Sequence, residues 1–130
     1  MVKTVGGRIA VVHSARDSIA MRGFLRITEL WRLRPTEQIA LLGIPASTFY
    51  RFRKTPRSAR LSRDTMERIS HIFGIYRALT TLFPKTEAAD AWVKRPNDSF
   101  NGQSALDRML AGNVADLYVV RRCLDANIGR

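Results

Sequence analysis

The chain has 130 residues, 22 Lys and Arg against 11 Asp and Glu, a formal charge of +11 and 45% apolar residues. That is room for one domain, or two small modules on a shared core, without metal or disulfide staples, and it is too apolar for a disordered chain. A single cysteine, Cys123, closes no intramolecular disulfide, and His13 and His71 stand too far apart for metal-ligand spacing.

In chain order, residues 1–13 contain Gly6-Gly7 and show no helical period, so they are expected to form a flexible arm. Ile9 to Val12 is too short an apolar run for the core of a signal peptide. No run of about 18 apolar residues is present, so no membrane helix is expected. A soluble, cytoplasmic setting follows as the expectation. From Ser14, a plausible N-cap, Ala20, Phe24, Ile27 or Thr28 and Trp31 recur at helical spacing as far as Leu33, with Met21, Leu25 and Leu30 alongside. Pro35 ends that helix.

Thr36 is expected to cap a short helix through Leu42, and Gly43 to stop it in a left-handed conformation. A second short helix opens at Ala46 or Ser47 and runs to about Lys54, followed by a loop at Thr55-Pro56-Arg57-Ser58. Ser62 caps a long helix from Arg63 to about Leu82, in which Gly74 permits close packing or a kink. Three helices follow: Thr86 to Val93, Ser104 to Leu110 and Val114 to Leu124. A turn-rich stretch, Pro96 to Gly102, separates the first two. The expected fold is all-α. Its organisation is an arm over 1–13, a helix-turn-helix region over 14–60, a connecting long helix over 61–84 and a small C-terminal helical domain over 85–130.

Charge is uneven along this plan. Residues 1–68 carry +9 and residues 69–130 carry +2, and 18 of the 22 cations are Arg. Arg presents a planar fork that suits phosphate and guanine edges. Charge alone fits a solvated basic face as well as a nucleic-acid footprint.

The segment from Thr36 to Lys54 sharpens that choice, because a short helix, a glycine turn and a second short helix form the helix-turn-helix layout. Ile39, Leu42, Ile44, Phe49 and Phe52 are expected inside, although Tyr50 and Phe52 are both core candidates. Ser47, Thr48, Tyr50, Arg51 and Lys54 are expected to face outward, toward DNA, with Ser47 and Thr48 near base edges and Arg51 reading a guanine or binding phosphate. Thr36 and Gln38, at the start of the first helix, are expected to reach phosphate. Arg53, Lys54 and Arg57 extend the phosphate contacts. The plainer alternative is a helical hairpin with a polar wet side.

The C-terminal half carries a resemblance. Leu41-Leu42-Gly43, Ser47 to Arg51, Arg68-Ile69-Ser70, Phe83-Pro84, Trp92, Pro96-Asn97, Phe100 to Asp107, Gly112 and Leu124-Asp125-Ala126, in that order, resemble the MbcA/ParS/Xre antitoxins over roughly residues 25–130. That resemblance implies an all-α antitoxin that commonly dimerises. It implies an Xre-like DNA-binding half that represses its own operon, and a second half that binds a RES-domain toxin. Such toxins consume NAD or transfer ADP-ribose, and the antitoxin covers the active-site cleft. The toxin-contact candidates it implies are Trp92, Asn97, Phe100, Asn101, Gly102 and Ser104. The end from Leu124 through Asp125, Asn127, Ile128 and Gly129 to Arg130 would serve as the blocking segment. Two positions depart from the family pattern: Asn101 stands where a second glycine is usual, and Ala105 where proline is usual. Asn tolerates a left-handed backbone, so the turn can survive.

No catalytic constellation stands out, and no cofactor is expected. His13 falls in the expected arm, and His71 on a structural helix. Asp107, Asp116 and Asp125 recur every nine residues, which is not one helical face. The competing function is a stand-alone repressor whose second half only dimerises or senses a ligand.

Overall fold

Apolar residues at helical spacing, punctuated by Pro, Gly and Ser, fold into seven α-helices in the computed structural model, which describes residues 2–128 and their side chains from residue 15 onward. They are α1 (Val2–Leu30), α2 (Pro35–Leu42), α3 (Ala46–Lys54), α4 (Arg63–Leu82), α5 (Thr86–Trp92), α6 (Ala105–Met109) and α7 (Val114–Ile128). Single 3-10 turns at Pro56–Ser58 and Asp98–Phe100 complete the chain order. Among the described residues the β-pairing consists of one isolated bridge, Pro96 to Ser104, so the fold is all-α.

Several helix ends differ from expectation. α1 begins at Val2, so the segment expected as a flexible arm is helical and Ser14 lies inside the helix rather than capping it. Gly6 and Gly7 each cost about 1 kcal/mol against Ala, but one nucleus already exists and each added residue gains a hydrogen bond. α1 also stops earlier than Leu33. Arg32 takes a left-handed φ of 57°. Its N–H donates to the Glu29 carbonyl, and the Leu33 N–H donates back to the Thr28 carbonyl, both at 2.9 Å. That pair is a Schellman stop, with an arginine where glycine is usual.

Thr36 does not cap α2. Pro35 already occupies the first helical position, and the Arg34 N–H donates to Glu37 Oε1 at 2.8 Å. Proline at that site loses no hydrogen bond, because the position has no helical acceptor. Gly43 does close α2 in the left-handed region, at φ 66°. Ser62 caps α4 by accepting from the Thr65 N–H at 3.1 Å. α7 runs on to Ile128, so Leu124 to Ile128 continue a helix and are not a tail.

α4 is the central element, with α1 and α7 both packed along it. Its buried residues, Ile69, Ile72, Ile75, Ala78 and Leu79, join Met21 and Phe24 of α1, Trp31 just after it, and Leu117, Val120 and Leu124 of α7 in one core. Two glycines set how closely these helices approach. A Cβ on Gly23 would lie 2.6 Å from the Phe73 ring, and one on Gly74 would lie 2.4 Å from Arg121 Nε. Gly74 therefore serves close packing, with the α7 arginine lying across α4. Asp17 of α1 accepts from the Leu61 N–H at 3.1 Å and pins the entry to α4.

Candidate functional site

The first candidate surface is built on α2 and α3. Leu41, Leu42, Phe49 and Phe52 are buried, which locks the two helices onto the core and resolves Phe52 as a core residue. Ser47, Tyr50, Arg51 and Lys54 then share the exposed face of α3, at the i, i+3, i+4, i+7 spacing of one helical stripe. Tyr50 is half exposed and meets the Phe49 ring edge-on at 5.4 Å. The Arg51 guanidinium lies 5.2 Å from the Phe52 ring centroid, so an aromatic platform orients it at the surface. Arg51, Arg53 and Lys54 fill the last turn of α3, where the helix dipole favours cations. Arg57 is exposed on the 3-10 turn packed against α3. Thr36 is exposed, and Thr48 is only half-buried.

Gln38 departs from expectation. It is 4% exposed, and its Nε2 donates to Thr28 Oγ1 at 2.8 Å. Thr28 Oγ1 in turn donates to the Phe24 carbonyl at 2.8 Å. Gln38 is therefore a buried strut between α2 and α1 and cannot reach phosphate. Arg60, just after the 3-10 turn, and Arg63, the first residue of α4, were not included in the motif and are exposed. Their signal was the three-residue spacing from Arg57.

Arg68 ties this surface to the other half of the molecule. Its Nε donates to Asp64 Oδ2 at 2.9 Å, its Nη2 to the Gly112 carbonyl at 3.0 Å, and its Nη1 to the Leu41 carbonyl at 3.5 Å. One guanidinium thus spans the end of α2 and the turn that leads into α7.

The second candidate surface lies on the C-terminal helices. The loop from Pro96 to Ser104 closes on Asn97. The Asn97 Oδ1 accepts from the Ser99 N–H at 2.9 Å, and its carbonyl accepts from Phe100 and Gly102, each at 3.0 Å. Asn101 and Gly102 adopt left-handed φ values of 57° and 82°, so Asn101 does hold the turn where a glycine is usual. Ser104 and Asp107 cap α6 reciprocally, with the Asp107 N–H donating to Ser104 Oγ at 3.0 Å and the Ser104 N–H to Asp107 Oδ2 at 3.2 Å. This cap does the ordering that a proline at Ala105 would have done.

Not every expected contact residue is available. Phe100, Ser104 and Leu124 are buried, so they shape the surface without touching a partner. Trp92 is half-buried and meets Phe100 edge-on at 6.3 Å, which makes it mainly a packing residue. Asn97 is half-buried, while Asn101, Gly102, Asp125, Asn127 and Ile128 are exposed. Gly129 and Arg130 lie outside the described residues. The loop and the chain end also occupy different neighbourhoods. Ile128 and Asp125 border a groove of about 340 Å³ against Gly74, Arg77 and Thr81 of α4, and no residue of the loop lines it.

Tyr118, Val119 and Arg122 were missed. They are exposed on α7, with the Arg122 guanidinium 6.0 Å from the Tyr118 ring centroid. Their signal was an aromatic and a valine in excess of the stripe Leu117, Val120 and Leu124 needs for the core. Tyr and Arg anchors of this kind are enriched in protein interfaces. His71 of α4 meets Tyr118 edge-on at 5.9 Å. Burial and the charge of Arg121 lower the His71 pKa, against a smaller upward pull from Glu67. Among the described residues, no cluster of His, Cys, Asp or Glu could hold a metal, and no helix is long and apolar enough to cross a membrane.

Comparison with known proteins matches both halves of the chain. The antitoxin Xre-like helix-turn-helix domain matches residues 10–74, and the antitoxin Xre/MbcA/ParS C-terminal toxin-binding domain matches residues 78–127. The chain is also similar to the protein described as "Uncharacterized protein y4oB" of Sinorhizobium fredii (strain NBRC 101917 / NGR234), with 47% identity over 130 residues and 99% coverage of each chain. With a helix-turn-helix face at one end and the toxin-binding helices at the other, the chain belongs to the Xre/MbcA/ParS antitoxins.

Proposed function

We propose that this antitoxin acts in a type II toxin–antitoxin pair and silences a RES-domain toxin that consumes NAD or transfers ADP-ribose. It covers the toxin's active-site cleft with the surface of α5 to α7, and the segment from Asp125 to Arg130 lies at the cleft. As a homodimer in the cytoplasm, it binds operator DNA through α3 and represses its own operon.

The observation that carries the toxin contact is the outer face of α7. Tyr118, half exposed, stands there beside Val119 and under Arg122, on a segment whose charge is nearly neutral. Desolvating such a face on a partner is favourable, and Tyr and Arg anchor it. The DNA contact is supported by the cations of α3. Ser47 and Tyr50 present hydrogen-bonding groups to base edges, while Arg51, Arg53, Lys54 and Arg57 neutralise phosphates. Thr36, exposed at the N-terminus of α2, adds one neutral contact.

The test is purification from the native host with an N-terminal tag, leaving Arg130 free. The expected result is a stoichiometric companion with NAD-consuming or ADP-ribosylating activity, silent in the complex and active once dissociated. Deleting Ile128 to Arg130 is expected to restore part of that activity. If only operator DNA is recovered, the chain is a plain repressor and the toxin assignment fails.

A further inference from the structure

Between Arg51 and Arg63 the chain carries six cations and no acid. The α3 surface uses Arg51, Arg53, Lys54 and Arg57, which leaves Arg60 and Arg63 without a part in it. The fold brings up a further cation from far away in sequence. Asp17 accepts from the Leu61 N–H at 3.1 Å, which docks α1 on the entry to α4. Its neighbour Arg16 thereby lines a groove of about 540 Å³ together with Leu61, Ser62, Arg63 and Met66. This groove continues the α3 surface. The 3-10 turn that carries Arg57 packs against both α3 and α1, and Arg60 leads from that turn to Leu61.

These three arginines serve the fold poorly and suit an anion well. Arg16, Arg60 and Arg63 are exposed, and among the described residues none of them pairs with a carboxylate. The nearest acid in sequence to Arg63, Asp64, is taken by Arg68 Nε at 2.9 Å. Arg63 is also the first residue of α4, where the helix dipole disfavours a cation and favours an anion. The Arg60 guanidinium is steadied by backbone oxygens: its Nη1 donates to the Ala59 carbonyl at 2.9 Å and to the Arg57 carbonyl at 3.5 Å. That leaves other N–H groups of a fixed fork free for a ligand. Glu67 lines the groove one turn beyond Arg63 and lies 3.8 Å from His71 Nε2. Its charge confines an anion to the end held by Arg16 and Arg63.

Resting on the operator reading above, we propose that this groove grips the sugar–phosphate backbone of the duplex flanking the bases that α3 meets. Arg16 and Arg63 take phosphate oxygens in the groove, and Arg60 takes one on the way to it from α3. Leu61 and Met66 supply apolar contact for deoxyribose. The volume equals the liquid share of about 18 waters, far more than a free phosphate ion fills, so it suits a stretch of polymer backbone. Such contacts carry no sequence information; they fix register on the duplex and add affinity.

The test measures binding of the full chain to a labelled non-specific duplex by fluorescence anisotropy, between about 50 and 200 mM salt. Arg16→Ala with Arg63→Ala is compared with Arg16→Lys with Arg63→Lys. Arg77→Ala with Arg95→Ala removes the same charge from exposed positions elsewhere. The Arg16/Arg63 alanine pair is expected to flatten the logarithmic salt slope by about 1.8 and to weaken binding about tenfold or more. The lysine pair is expected to keep the slope, and the control pair to match the wild type. Thermal unfolding of the alanine pair is expected at or above the wild-type Tm, because a disfavoured cation leaves the start of α4. An unchanged slope in the Arg16/Arg63 alanine pair, where Arg51→Ala with Lys54→Ala does flatten it, would overturn this inference and leave the operator reading standing. Equal flattening by the control pair would also overturn it, by showing an effect of net charge alone. Absence of salt-dependent duplex binding by the wild type would sink the operator reading and this inference with it.

Discussion

Gln38→Ala separates a structural strut from a DNA contact. In the native protein Gln38 Nε2 donates to Thr28 Oγ1 at 2.8 Å, and the residue is 4% exposed. Truncation removes that hydrogen bond, worth about 1 kcal/mol net. It also removes one buried methylene, worth about 0.8 kcal/mol, and leaves a small void where the amide stood. No donor is orphaned, because the Thr28 hydroxyl still donates to the Phe24 carbonyl. The expected loss is therefore about 2 kcal/mol, or a fall of about 7 °C in Tm for a chain of this size. Urea unfolding and calorimetry measure it. Binding of the folded variant to a non-specific duplex, followed over a salt series, is expected to match the wild type in both affinity and slope. A neutral phosphate contact behaves oppositely: stability stays within about 0.5 kcal/mol and affinity falls at every salt concentration, with the slope unchanged because an amide displaces no counterion. That second pattern would refute the placement of Gln38 in the core.

The exposed cations of α3, being charged, predict a change in the salt slope as well. Arg51→Ala with Lys54→Ala should leave the fold intact and weaken duplex binding, flattening the salt slope by about 0.9 for each phosphate that is no longer neutralised. Gly74→Ala gains about 1 kcal/mol of helix propensity and meets only the flexible end of the Arg121 side chain, which can swing aside at a cost of about 0–1 kcal/mol in exposed ion pairing. A net change within about 1 kcal/mol on the stabilising side is expected in urea unfolding; a loss above about 1 kcal/mol would show Arg121 held rigidly across α4. His71 has a lowered pKa in the folded state, so between that value and its ordinary value the unfolded chain binds more protons. Its contribution is present at neutral pH and declines as pH falls below about 6.5. His71→Gln should flatten that part of the stability–pH profile.

The parts of this molecule that announce themselves in sequence are those governed by local rules. Gly43 stops α2 because only a left-handed residue closes it there, and Ser62 opens α4 because its hydroxyl reaches the Thr65 N–H. The exposed stripe Ser47, Tyr50, Arg51 and Lys54 follows from helical period once Phe49 and Phe52 are placed inside. What stays hidden depends on contacts between distant segments. Gln38 reads as polar and surface-bound until Thr28 of α1 supplies a buried partner ten residues away. Arg32 reads as one more cation, yet it holds the left-handed position that ends α1. Local glycines argued against a helix over the first residues, and the helix runs through them.

The candidate toxin surface shows the same division most sharply. Asn97, Asn101 and Gly102 belong to a turn, and a turn is legible because its hydrogen bonds close within a few residues. Phe100, Ser104 and Leu124 lie beside candidate contact residues in sequence but face inward, because Trp92, Asp107 and α4 claim them. Tyr118 was invisible for the converse reason. An aromatic on a helix that already has an apolar stripe looks like core, and only the packing of α7 on α4 shows that Leu117, Val120 and Leu124 fill the core without it. An exposed tyrosine left over after the core is complete, steadied by His71 on one side and Arg122 on the other, is the kind of rigid, half-wet group that a protein partner can cover at little entropic cost.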